Sequence, residues 1–350
     1  MDPSGIFSTS YRSDRRVVRT RWQALLLALF LVLMFGAPYL ASPRIVAILN
    51  VMLISSVVAV GLQICTGYAG QINLGQAAFM GVGAYTASIL ASKTGISFLV
   101  TIPAAGVAAA LFGFLFGLTA ARIKGFYLAL TTIAAQFIFH FAVLNLPGSW
   151  LGGSNGVTVP AATLFGYRIV SETGQYYMML IVALIMVAGA FGIVRSRFGR
   201  AFVAVRDDDV AAGIMGINVA ATKANAFLIG AFYAGIGGAM WAYLIRFVGV
   251  DQFTLFNSVF FIAMIIVGGM GSIVGALVGV FVIRMIQEVI ATVGPNLAEA
   301  VPFLGGDIVF AGMNVVLGGV IALFMILEPK GLMHRWNILK SSYRIWPFPY

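Results

Sequence analysis

Charge is what this sequence has least of. Only 9% of its 350 residues are Asp, Glu, Lys or Arg, where soluble domains carry roughly 25%. With 61% hydrophobic residues and a mean hydropathy of +1.01, a soluble domain is excluded and the chain reads as a polytopic membrane protein. A single cysteine, Cys65, leaves no disulfide framework and no thiolate cluster. The two histidines, His140 and His334, have no metal-ligand spacing around them, so no metal site is expected. His140 stands between Phe139 and Phe141 inside an apolar run and reads as a packed or pore-side polar residue. No GxxxxGK[ST] loop occurs, so the chain does not bind ATP in the P-loop manner, and no catalytic constellation is found.

Acids are scarcer still than cations, 11 against 21. Asp2, Asp14, Glu172, Asp207, Asp208, Asp209, Asp251, Glu299, Asp307 and Glu328 fall in loops or at span ends. Only Glu288 lies inside a span, and Arg284 one turn earlier is its natural i, i+4 partner. A proton-coupled transporter usually needs an unpaired intramembrane acid, so the energy for any transport should come from outside this chain.

The +10 net charge does not indicate nucleic acid, because no basic stripe with interleaved aromatics is present. It reports orientation instead. Ten apolar spans are expected at about 22–40, 44–66, 76–92, 98–121, 126–146, 175–194, 224–247, 255–268, 272–291 and 308–327, an all-α polytopic bundle with broken or re-entrant segments. The first is read as an uncleaved span that only loosely mimics a signal peptide. With both termini cytoplasmic, the inner segments hold 16 of the 21 Lys and Arg, and Arg44, Lys93, Arg168, Arg246 and Arg284 remain outside. That bias is the one the positive-inside rule predicts. Residues 1–21 then form a basic cytoplasmic tail, 22–333 the membrane domain, and 334–350 a second cytoplasmic tail.

One long polar insertion, 195–223, keeps helical periodicity. Phe198, Phe202 and Val205 fall at i, i+4, i+7, and Val210, Ile214 and Ile217 repeat the spacing, which predicts two short amphipathic helices. Asp207 and Asp208 suit the start of the second helix and Gly216 its stop. Two readings fit this hairpin: an apolar ridge offered to a partner outside the membrane, or a surface helix packed on its own protein.

Between the second and third spans, residues 66–85 carry Gly67, Gly70 and Gly75 with Gln71, Asn73 and Gln76, a poor continuous helix. Irregular backbone at membrane depth survives where protein or a water-filled path satisfies it. The segment therefore reads as part of a translocation route, or else as a polar loop at the membrane edge. A second glycine break, 267–279, includes Gly269 and Gly271. Small residues recur at every fourth position in Ala109/Gly113/Gly117, Gly230/Ala234/Gly238 and Gly271/Gly275/Gly279, which suits close helix packing, within the chain or with membrane partners. The loop 147–174 is the largest outward feature, and its Asn155–Gly156 step marks a turn that could receive a soluble partner.

GYAGQINLGQAAFMGVGAY, KGFYLALTTIAAQF at 124–137, GGSNGV at 152–157, FGRAFVAVRDDDVAAGIMGIN at 198–218, GGMGSIVGALVG and EPKGL at 328–332 resemble, in that order, the LivM-type permeases of branched-chain amino acid ABC importers. The resemblance implies a permease domain partnered by a second, LivH-like permease, by two cytoplasmic ATPases that hold ATP and Mg, and by a periplasmic binding protein. Membrane lipid is implied as surroundings, with no cofactor on this chain. It makes 195–223 the ATPase-coupling segment, carried by Phe198, Gly199, Arg200, Phe202, Arg206, Asp207, Asp208, Ala211, Ile214, Gly216 and Ile217. From the broken segments, the route is expected at Gly67, Tyr68, Gly70, Gln71, Asn73, Gly75, Gln76, Thr131, Thr132, Gly269 and Gly271. Binding-protein docking falls to Gly152, Gly153, Ser154, Asn155 and Gly156. Relatives with similar blocks serve urea, amides and aromatic acids; an ion-coupled secondary transporter or a channel is the competing class.

Overall fold

The computed structural model describes residues 21–345 except 121, 124, 148–150, 165, 301–314, 316–317 and 320. The expectations placed on the first 20 residues, on Lys124, on Asp307 and on half of the span at 308–327 lie outside these residues. The helices are α1 (Arg21–Leu40), α2 (Pro43–Leu62), α3 (Gln76–Thr94), α4 (Phe98–Ala120), α5 (Phe126–Asn145) and α6 (Glu172–Val194). Then come α7 (Arg197–Asp207), α8 (Asp209–Ile214), α9 (Val219–Ile245), α10 (Leu255–Gly268), α11 (Ile273–Ala300) and α12 (Leu332–Ile345). Among the described residues, eight helical segments are long and apolar enough to cross a membrane. The expected third span also forms, as α3, and its more polar composition is tolerated because most of it is buried in the bundle.

The bundle is built around α9, which packs against α2, α3 and α4. Close approach explains the small-residue stripes. A Cβ on Gly235 would come within 2.4 Å of Ala109 Cβ, and one on Gly238 within 1.9 Å of the Met80 carbonyl. Without a strong hydrophobic drive between helices in lipid, such backbone-to-backbone packing supplies the cohesion. These stripes are spent inside the chain.

α1 lies outside this core, and none of its residues is buried. Its attachment follows from Pro38, whose missing N–H leaves the carbonyl of residue 34 without its helical partner. The Tyr176 hydroxyl of α6 donates to that Met34 carbonyl at 2.8 Å, and Tyr177 donates to the Phe35 carbonyl at 2.7 Å.

The expected Arg284–Glu288 pair does not form. Glu288 instead accepts from Arg44 on α2, at 2.5 Å from Nη2, and Arg44 also reaches Thr292. Arg284 turns to Ser55 of α2 and to Gln287. Helical spacing makes i, i+4 contact available, but a neighbouring helix at closer range takes the carboxylate.

Candidate functional site

Regular helix ends where α2 runs into a π-helical turn, Gln63–Tyr68, followed by irregular chain up to Gly75. Such turns occur mostly as local insertions and often at functional sites. Gln63, fully buried, donates from Nε2 to the carbonyls of Gly269 and Ser272, both at 3.1 Å. Tyr68 reaches the backbone of Ile273. A Cβ on Gly67 would lie 2.8 Å from the Gly271 nitrogen. The two glycine breaks therefore form one assembly, and Gln63, a lone polar residue in an apolar run, is the contact that sequence reasoning missed.

Gln71, Asn73 and Gln76 are used to hold the backbone of the first break. Asn73 donates to Gln76 Oε1 at 2.9 Å and accepts from the Gly75 amide at 2.9 Å. Gln76 donates to the carbonyls of Val58 (3.1 Å) and Gly230 (3.4 Å), and Gln71 to that of Ala69 (2.8 Å). Thr132 accepts from the Leu74 amide at 3.0 Å, whereas Thr131 bonds only back to Tyr127 of its own helix. Buried backbone groups away from water must be paired, and these side chains supply the partners that helix does not.

The polar insertion folds as α7 and α8. Ser196 caps α7 by accepting from the Phe198 amide, and Asp208 caps α8 by accepting from the amides of Val210 and Ala211. Asp207 is not a cap: it ends α7 and accepts from Arg206 at 2.9 Å. Gly216 takes φ +84°, and the Ile217 amide donates back to Ala212 at 3.0 Å, so the left-handed stop forms. Gly199 is required by packing, since a Cβ there would sit 1.9 Å from the Val194 carbonyl. Lys223, buried at the start of α9, pairs with Asp209 of α8 at 3.1 Å and ties the hairpin to the bundle.

The two helices do not present one common ridge. Phe202 is 0% exposed and Val205 is buried, so the α7 face fills the chain's own core, with only Phe198 half-exposed. On α8 the reverse holds. Ile214 is 82% exposed, with Met215 and Val210 beside it and Ala211 also exposed. The expected ridge is thus divided: α7 packs inward and α8 faces outward.

Arg206 joins this hairpin to the breaks. Its Nη1 donates to the Gly67 carbonyl at 3.0 Å. A Cβ on Gly70 would meet its Cγ at 2.7 Å, and one on Gly271 would meet Nη1 at 3.2 Å, so the side chain passes between the two glycine segments. Gly70 and Gly271 have φ of +68° and +83°, values that disfavour any side chain. A cavity of about 670 Å³ opens here, lined by Thr66, Gly70, Arg206, Gly271 and, from the EPKGL block and α12, Lys330 and His334. Gly331 closes on it, since a Cβ there would lie 2.4 Å from Gly269 Cα. Arg200 is exposed on the far side of α7. Among the described residues no cluster of three or more His, Cys, Asp or Glu could hold a metal ion, and His140 is half-buried on α5.

The opposite end of α9, about 40 Å away for its 27 residues at ~1.5 Å each, carries the other loop. Gly153–Asn155 forms a 3-10 turn, and β1 (Val157–Thr158) pairs antiparallel with Phe247–Val248. Gly152 and Gly156 have φ of +73° and +67°, and a Cβ on Gly156 would sit 2.6 Å from the Val248 carbonyl. Ser154 and Asn155 are left exposed at the tip. Hairpin and turn therefore occupy opposite ends of the bundle.

The family described as the branched-chain amino acid transport system / permease component matches residues 44–327. The chain is 31% identical to the high-affinity branched-chain amino acid transport system permease protein LivM of Escherichia coli (strain K12), over 89% of this chain and 75% of that protein. It is 29% identical to LivM of Salmonella typhimurium over the same shares, and 24% identical to the permease protein BraD of Pseudomonas aeruginosa over 81% of this chain and 93% of BraD. No solved structure matches. With glycine breaks locked together, a hairpin bonded to them and this similarity along nearly the whole bundle, the chain belongs to the permease family of branched-chain amino acid transport systems.

Proposed function

We propose that this chain is a membrane-spanning subunit of an ATP-driven, binding-protein-dependent importer for branched-chain amino acids. It is a transport subunit and not an enzyme. Of two cytoplasmic ATPases, which hold ATP and Mg, one docks on the exposed face of α8 and the other on a second, LivH-like permease that completes the route. A periplasmic binding protein docks at Gly152–Gly156. The chain sits in the bacterial inner membrane with both termini in the cytoplasm, as the distribution of Lys and Arg favours.

The observation that carries the reading is Arg206. A movement of the hairpin, driven by closure of the ATPases, is passed through one side chain to the carbonyl of Gly67 and to the gap between Gly70 and Gly271. Coupling of this kind needs a rigid element with two arrangements, and the hairpin is tied at Asp208, Gly216 and Lys223 to move as a unit.

The test is reconstitution with both ATPases, the second permease and the binding protein. Arg206→Met should assemble and hydrolyse ATP like the parent while uptake falls at least tenfold. The isolated chain should take up nothing. Uptake by the isolated chain under a sodium or proton gradient would overturn the reading.

A further inference from the structure

Arg284 is a cation in the middle of a membrane-spanning helix and has no acidic partner among the described residues. It stands 11 residues into α11, about 16 Å along at ~1.5 Å per residue, near the midplane of a hydrocarbon core of ~30 Å. Nε and Nη2 donate to Ser55 Oγ at 3.0 and 2.7 Å, and Nη1 donates to Gln287 Oε1 at 2.9 Å. The guanidinium also lies 5.6 Å from the centre of the Phe260 ring on α10. Three of its five N–H groups are thus engaged, all by neutral acceptors, and two remain.

The chain has a carboxylate one turn away and does not use it here. Glu288 is committed to Arg44, so among the described residues Arg284 keeps its charge uncompensated. An ionised group at this depth is costly and normally marks a substrate pathway. Its flanks, Phe281 and Met285, are exposed, which sets the guanidinium at the border between the bundle and a face this chain leaves open. The same helix begins at the cavity that holds Arg206. Ser55, Gln287 and Phe260 hold the guanidinium through neutral contacts, so a counter-charge that comes and goes is tolerated.

Resting on the importer reading above, we infer that Arg284 is a transient binding site for the carboxylate of the substrate as it crosses the membrane. Guanidinium and carboxylate match in charge and in planar geometry. The site therefore takes free amino acids and discriminates against neutral urea and amides, which lack that group.

The experiment uses the complete complex in liposomes with ATP and a binding protein loaded with labelled leucine. Arg284→Gln, which keeps a donor for Ser55, should lose at least tenfold in uptake while assembly and ATPase stimulation by the loaded binding protein stay at parental levels. Arg284→Lys should retain part of the uptake, and Ser55→Ala, which removes one of the clamps on the guanidinium and keeps the charge, should lose clearly less than Arg284→Gln. Parental uptake by Arg284→Gln overturns the inference. So does an equal loss in Ser55→Ala, which would make Arg284 a structural pin. Loss of the second permease from purified Arg284→Gln would assign the counter-charge to that partner and overturn it as well. A second measurement needs no variant and no transport: with the binding protein left out, leucine should raise the unfolding temperature of the solubilised parent membrane complex and leucinamide should not. Equal shifts, or none, overturn the inference. Failure of the parent complex to transport would instead count against the importer reading, and the leucine and leucinamide comparison would still decide the site.

Discussion

Truncating Ile214 to Ala separates docking from folding within a single hairpin. Ile214 is 82% exposed on α8, whereas Phe202, at the matching place on α7, is fully buried. Removing an exposed side chain usually changes stability by no more than about 0.5 kcal/mol, so Ile214→Ala should unfold at the parental temperature. If an ATPase groove buries that side chain, the three carbons lost are each worth about 0.8 kcal/mol at most, for a total of about 2 kcal/mol. That is roughly a thirtyfold rise in Kd. Phe202→Ala should behave the opposite way. Emptying a core site of a Phe costs about 3–5 kcal/mol, and this cost appears as instability of the hairpin and only indirectly as weaker docking. The assay is binding of the purified ATPase subunit to both variants, beside thermal unfolding of each. Parental affinity for Ile214→Ala, in a variant that unfolds normally, would refute the claim that α8 is the docking face.

The part-buried ion pair offers a second check: Lys223→Met removes the cation that Asp209 meets and should destabilise the hairpin by about 1–3 kcal/mol, and adding Asp209→Leu should recover part of the loss, as read by unfolding temperature. Asn73→Leu removes one acceptor from the Gly75 amide and one donor to Gln76. It should cost about 1–3 kcal/mol, because buried groups are left unpaired, and lower uptake together with stability; loss of uptake at parental stability would mean that Asn73 contacts substrate and is more than a backbone pin.

Much of this molecule could be read before folding was considered. Apolar runs long enough to span a bilayer gave α1, α2, α4, α5, α6, α9, α10 and α11, because in lipid every backbone group must be paired locally and helix is the local solution. Capping chemistry placed the start of α8 near Asp208 and its end at Gly216, since both depend on residues within one turn. What the tertiary structure alone decided concerns partners far apart in sequence. Periodicity found an apolar face on each hairpin helix but had no information on whether that face meets the bundle or the outside, and Phe202 and Ile214 took opposite answers. Local spacing allowed Glu288 to pair with Arg284, but Arg44 lies closer in space and takes it. The two glycine breaks read as separate interruptions until Gln63 and Arg206 bridged them, because hydrogen bonds across 206 and 139 residues leave no periodic trace in the chain.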